Sequence, residues 1–166
     1  ARTGIAPYDD GDLMHNPIDY AKLSAEALQH MRELVSTMPG SAVRSCSCSS
    51  QVSQINGCNY CIGRHTRAAR TAGETEARLS ALPQWQSSAL FNAREKAALG
   101  WAELLTPVRD AQDVLAQLAA LKAHFTDKQI SDLTFAVATI NAWNIIGISF
   151  IPTAAEKRQL QTSENR

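Results

Sequence analysis

The chain has no excess of charge of either sign and no apolar run near the roughly 20 residues that a membrane-spanning helix needs. Its 166 residues include 16 basic and 16 acidic side chains, which balance to a net charge of zero. This balance disfavours nucleic acid and anionic membranes as main partners. We therefore expect a globular protein that binds no nucleic acid and inserts in no membrane.

Cysteine is also scarce, with four residues that cluster at positions 46, 48, 58 and 61. A structural disulfide framework would spread its cysteines along the chain. The N-terminus has neither the basic start nor the apolar middle of a secretory signal. These features predict a reducing, cytoplasmic setting.

Strand-like alternation is absent, and apolar residues recur instead at the three- and four-residue spacings of helices. The predicted helices cover residues 19–38, the second half of 41–55, 58–72, 75–82, 92–105, 110–125 and 127–151. We therefore predict an all-α fold, a single-domain bundle of about six to seven helices. Residues 1–17 are expected to be an extended lead-in, 18–151 the domain and 152–166 a polar tail. The last helix is apolar nearly all round, which predicts a central or intersubunit position.

Chemistry-bearing residues concentrate in residues 53–70, which read SQINGCNYCIGRHTRAAR. In a helix, the offsets of three, four and seven that relate Cys58, Cys61 and His65 place them on one stripe. Unpaired N–H groups and the dipole at the helix start favour a thiolate, and an imidazole can take or return its proton. A second thiol can close a disulfide once the first is oxidised. From these residues alone, dithiol chemistry, metal binding and a structural role all stay open.

Several motifs resemble, in order, the alkylhydroperoxidase D-like family of the carboxymuconolactone decarboxylase superfamily. They are SQINGCNYCIGRHTRAAR, GETEARLSAL, Trp85, LFNAREKAALGWAELLT and LTFAVATINAWN, and the resemblance runs from about Tyr20 to Asn144. It implies an all-α bundle that assembles as a homotrimer or homohexamer. It also implies a thiol-dependent peroxidase or disulfide reductase of antioxidant defence. No haem, flavin or nucleotide motif is present, and we expect no cofactor.

Carried over by position, the resemblance implies that a hydroperoxide oxidises Cys61 to a sulfenic acid. Cys58 would resolve it as a disulfide, and His65 would belong to the proton relay. A dithiol such as a lipoyl group or a thioredoxin-like protein would restore the pair. Tyr60 would shape the pocket, donate a hydrogen bond or only pack.

The sequence departs from the family pattern before the motif. Relatives usually carry a proton-relay glutamate twelve positions before the first cysteine, where this chain has Cys46. Glu103 is our candidate for a substitute acid or base. The neighbouring apolar face is replaced by Ser45, Ser47, Cys48, Ser49 and Ser50. We expect this to lose about 1.5–3 kcal/mol per missing large apolar side chain.

Three alternatives stand beside the peroxidase. Cys46, Cys48, Cys58 and either Cys61 or His65 offer four soft ligands for zinc, which would make a zinc-binding Cys/His module. A redox-responsive oligomeric protein with little peroxidase activity would use the same disulfide to change its assembly. A decarboxylase like the superfamily's namesake is disfavoured, because those relatives use no cysteine pair.

Overall fold

A computed structural model describes residues 18–37, 46–106 and 111–151, apart from the side chains of Cys46, Ala111 and Gln112. Within these ranges the chain forms eight α-helices, one short 3₁₀-helix at Leu82–Gln84 and no strand, which confirms the all-α prediction. The helices are α1 (Tyr20–Leu23), α2 (Ala25–Thr37), α3 (Cys46–Asn56), α4 (Asn59–Thr71), α5 (Glu76–Ala81), α6 (Ala93–Leu104), α7 (Ala111–Lys122) and α8 (Asp127–Phe150). The predicted lead-in at 1–17 and tail at 152–166 lie outside the described residues.

Side-chain caps explain where the later helices begin. At the start of α6, Asn92 accepts from the Glu95 N–H while the Glu95 carboxylate accepts from the Asn92 N–H. Thr126 and Gln129 form the same reciprocal box at the start of α8. Each box satisfies two backbone donors that would otherwise lack partners.

The eight α-helices of the described ranges exceed the predicted six to seven because the first predicted helix divides at Ser24. Asp19 caps α1 by accepting from the Lys22 N–H, and the Ser24 N–H bonds to the Tyr20 carbonyl oxygen. This closes α1 after one turn, and α2 begins at Ala25. In α3, the structure extends the predicted helix back to Cys46.

The α3 helix lies among α4, α6 and α8 and presents an unusually polar face to the core. Ser49, Ser50, Gln51 and Ser53 are all at most 5% exposed, beside the fully buried Val52. The expected loss of apolar burial therefore falls inside the bundle. The largest fully buried apolar side chains elsewhere are Leu82, Leu99, Leu121 and Val137.

The α8 helix is long and apolar enough to span a membrane by length and composition, so the prediction that no segment qualifies is wrong. The central helix of a bundle passes the same test. Its buried residues are Ile130, Leu133, Ala136, Val137, Thr139, Ile140, Trp143, Asn144 and Gly147. Asn144 is fully buried and hydrogen-bonded to α3, which is the behaviour of a core helix. Phe135, Ile145 and Ile148 nevertheless stay more than half exposed.

Candidate active site

Cys58 and Cys61 are joined by a disulfide at the start of α4, with their Cα atoms 5.2 Å apart. Cys58 is the N-cap residue with extended backbone, and its Sγ accepts from the Cys61 N–H at 3.3 Å. The prediction that Cys58 lies within the helix is therefore wrong by one position. Gly57, at a φ of +68°, makes the turn, and the Cys58 N–H then bonds back to the Ser53 carbonyl oxygen. Both cysteines are buried, at 1% and 3% exposure.

The C-terminal part of α8 lies directly against this disulfide at Gly147. A Cβ atom at this position would lie 2.7 Å from the Cys58 Sγ and 2.8 Å from the Cys61 Sγ. One turn earlier, the Trp143 carbonyl oxygen is 3.9 Å from the Cys61 Sγ. A disulfide sulfur has no proton to donate, so this oxygen becomes an acceptor only for the reduced thiol. The sequence prediction missed Gly147, although an isolated glycine in an apolar helix is a known sign of close packing.

His65 follows Cys61 by four residues in α4 and is only partly exposed. Burial, and secondarily the positive charge of Arg64, lower the pKa of His65 from 6.5 to about 4. The imidazole is therefore neutral at physiological pH and can accept a proton or a hydrogen bond. Within the described part of the chain the His65 ring has no hydrogen-bond partner.

A partly buried amide network lies behind the disulfide and fixes the turn that carries it. The Asn56 Nδ2 donates to Asn141 Oδ1 at 2.7 Å and to Asn144 Oδ1 at 2.9 Å. The Asn144 Nδ2 donates to Ser53 Oγ at 3.1 Å, and the Asn141 Nδ2 donates to Thr106 Oγ1 at the same distance. These bonds tie the end of α3 to α8 and to the end of α6. Asn141 and Asn144 thus make hydrogen bonds that connect helices within the chain.

Tyr60, which lies inside the cysteine motif, is partly buried and packs against a second apolar cluster. The buried members of this cluster are Tyr20, Leu28, Trp143 and Ile151. It joins α1 and α2 to the end of α8 beside the disulfide. The packing role that the sequence allowed for Tyr60 therefore has a structural counterpart.

Glu103 lies in α6 and is held by nitrogen donors. Its Oε2 accepts from Trp85 Nε1 at 2.8 Å, from Gln86 Nε2 at 3.2 Å and from Gln51 Nε2 at 3.4 Å. No hydrogen bond joins it to either cysteine of the disulfide or to His65 among the described residues. Its role as a substitute acid or base stays a prediction that these contacts do not favour.

The structure does not gather Cys48 with the disulfide into a metal site. Cys48 is buried in the main core and takes no part in the disulfide, and Cys46 begins α3 with its side chain outside the described residues. Across the described residues, no group of three or more His, Cys, Asp or Glu side chains is placed to hold a metal ion. Nothing described supports the zinc alternative.

The fold and the dithiol define a helical protein of the carboxymuconolactone decarboxylase family, whose profile matches residues 48–104. An uncharacterized protein of Bacillus subtilis (strain 168), YdfG, is 32% identical over 149 residues, covering 87% of this chain and 100% of that protein. The crystal structure of an Agrobacterium tumefaciens protein of unknown function, described as a candidate antioxidant defence protein AhpD, is 28% identical. It covers 84% of this chain and 99% of its own, with a TM-score of 0.71.

The chain therefore belongs to the carboxymuconolactone decarboxylase family, and its resemblance to the alkylhydroperoxidase D-like branch is confirmed. Membership places it among enzymes of the oxidoreductase or decarboxylase kind. The Cys58–Cys61 pair fits the cysteine motif of that branch.

Proposed function

We propose that the protein is a thiol-dependent hydroperoxidase and disulfide reductase of antioxidant defence. The observation that carries the proposal is the Cys58–Cys61 disulfide, which closes at the start of α4 with His65 one turn further along the same helix. The likeness to the Agrobacterium protein described as a candidate antioxidant defence protein supports the same class of activity.

In the proposed cycle, the Cys61 thiolate attacks one oxygen of a hydroperoxide, the O–O bond breaks, and an alcohol leaves after protonation. Cys61 is then a sulfenic acid. The Cys58 thiol attacks its sulfur, forms the disulfide and releases water. An external dithiol, such as a lipoyl group or a thioredoxin-like protein, then exchanges with this disulfide and leaves as a disulfide itself.

The local structure supplies what the first step needs. The first turn of α4 has N–H groups without partners inside the helix, and the Cys61 N–H donates to Cys58 Sγ. His65 is neutral because its pKa is lowered to about 4, so its ring can accept a hydrogen bond from the thiol or from a bridging water, and we assign it to the relay that carries the thiol proton to solvent. We assign Cys61 as the attacking thiol from the family resemblance and from its position one turn before His65.

Mass spectrometry of single-turnover mixtures tests this proposal. Reduced protein is mixed with one equivalent of cumene hydroperoxide, and its peptides are mapped. We expect the loss of two hydrogens at Cys58–Cys61, and in Cys58→Ser a sulfenic acid on Cys61 that dimedone traps. Cys48→Ser is the matched control, because Cys48 is a buried thiol outside the disulfide. Turnover that is unchanged in Cys61→Ser would refute the proposal.

A redox-responsive assembly is the second candidate, and α8 favours it. The same helix contacts the disulfide at Gly147 and exposes Phe135, Ile145 and Ile148. We propose that this apolar face joins protomers into a homotrimer or homohexamer in a reducing, cytoplasmic setting. Sedimentation of oxidised and reduced protein tests both ideas: a single monomeric species refutes the assembly, and equal oligomers in the two states refute the redox response.

A further inference from the structure

Gly147 lies where two helices meet at the sulfurs. Non-bonded heavy atoms in a protein core pack at about 3.5–4.0 Å, whereas a Cβ at position 147 would lie 2.7 and 2.8 Å from the two sulfur atoms. A side chain there would require a displacement of about 1 Å. By contrast, Gly63 in α4 has open space where its Cβ would be.

The disulfide and the dithiol differ in how far their sulfur atoms can move to make room for a side chain at position 147. In the disulfide, the S–S bond and the 5.2 Å Cα separation hold both sulfurs in place together. In the dithiol, each sulfur can rotate about its own Cα–Cβ bond into another staggered position. The α8 backbone cannot easily move instead, because Asn144, one turn before Gly147, is fully buried and bonded to Ser53 and Asn56.

We propose that Gly147 is a positioning residue for the Cys58–Cys61 couple, because its lack of a side chain leaves the space in which the disulfide closes. The residue sets the balance between disulfide and dithiol and so tunes the return of the enzyme to its reduced form. This inference deepens the proposed function, and it depends on that function only in treating the two thiols as a working couple.

A redox titration tests the proposal directly. Protein is equilibrated with mixtures of reduced and oxidised dithiothreitol. The protein dithiol reduces cyclic dithiothreitol disulfide and becomes the protein disulfide, and the ratio of the two protein forms gives the equilibrium constant. For Gly147→Ala we expect at least a tenfold shift toward the dithiol, equivalent to ~30 mV less negative in reduction potential. Gly63→Ala is the matched control for adding a methyl group to a helix, and we expect it to keep the wild-type value. A Gly147→Ala constant within twofold of wild type would overturn the proposal.

A stability cycle keeps the proposal testable if Gly147→Ala folds poorly. In the oxidised wild-type background we expect Gly147→Ala to lower Tm. In the Cys58→Ala/Cys61→Ala background the two sulfurs are gone, and we expect Gly147→Ala to raise Tm because alanine favours a helix interior. The same sign in both backgrounds would contradict a specific contact with the sulfurs. Neither measurement uses peroxide, so a failure of the peroxidase proposal would not alter these results.

Discussion

His65 should make the stability of the protein depend on pH in a way that can be measured and removed. Burial and the charge of Arg64 lower its pKa from 6.5 in the unfolded chain to about 4 in the folded protein. Between these values the unfolded chain binds more protons than the folded one, so acid favours unfolding. The stability is fully present above about pH 6.5 and is lost progressively as the pH falls to about 4.

The size of this effect follows from the difference between the two pKa values. A difference of about 2.5 units, at 1.36 kcal/mol per unit, corresponds to about 3 kcal/mol of unfolding free energy. The perturbation is His65→Gln, which removes the titrating group and keeps a polar side chain. We expect the wild type to lose about 3 kcal/mol more than this variant between pH 7 and pH 4.

Urea denaturation at closely spaced pH values, followed by circular dichroism, measures this difference. The control is His124→Gln, which removes an exposed histidine and leaves His65 in place. We expect it to keep the wild-type pH profile. If His65→Gln and the wild type lose stability in parallel over this range, the imidazole is not buried in its neutral form, and the lowered pKa of His65 is refuted.

Three further predictions concern the structure around the disulfide, and urea denaturation checks each. Asn144→Ala should cost about 2–4 kcal/mol, because it leaves groups of Asn56 and Ser53 buried with a bond removed; a loss below 1 kcal/mol, roughly that of one hydrogen bond, would contradict this. The buried Ser50 Oγ has no hydrogen-bond partner among the described residues, so Ser50→Ala should raise the free energy of unfolding by about 1 kcal/mol. The matched Ser53→Ala should lower it, because Ser53 Oγ accepts a hydrogen bond from Asn144. Changes of the same sign in the two variants would refute this contrast. Gly57→Ala should lower the free energy of unfolding by about 1–2 kcal/mol, because the Gly57 φ of +68° lies in the left-handed region. Gly57→Asn should lower it less, because asparagine adopts this conformation more readily. Equal losses would argue that the left-handed backbone is not what requires glycine here.

Local signals in the sequence were enough to predict most helices. The boxes at Asn92 and Thr126 involve residues three positions apart, so the sequence itself shows both partners. The apolar spacing that predicts α8 likewise depends on neighbours within one or two turns. The break at Ser24 was missed because the apolar pattern continues through it, and only the backbone shows the turn.

The site was predictable in its residues but not in its packing. The spacing of Cys58, Cys61 and His65 could be read directly, yet the one-position shift of Cys58 out of the helix depends on the turn at Gly57. The contact of Gly147 with the sulfurs joins residues more than eighty positions apart along the chain. Such contacts arise from how α8 crosses α4, and no local pattern encodes that crossing.

The short span of the disulfide affects the conformational entropy of the chain. Only three positions separate Cys58 from Cys61, so the bond closes a very small loop. In the loop-closure description, a loop this small constrains the unfolded chain by only about 2 kcal/mol, less than a long-range disulfide would. The bundle depends mainly on its core for stability. In the proposed cycle the bond can therefore form and break while the protein stays folded around it.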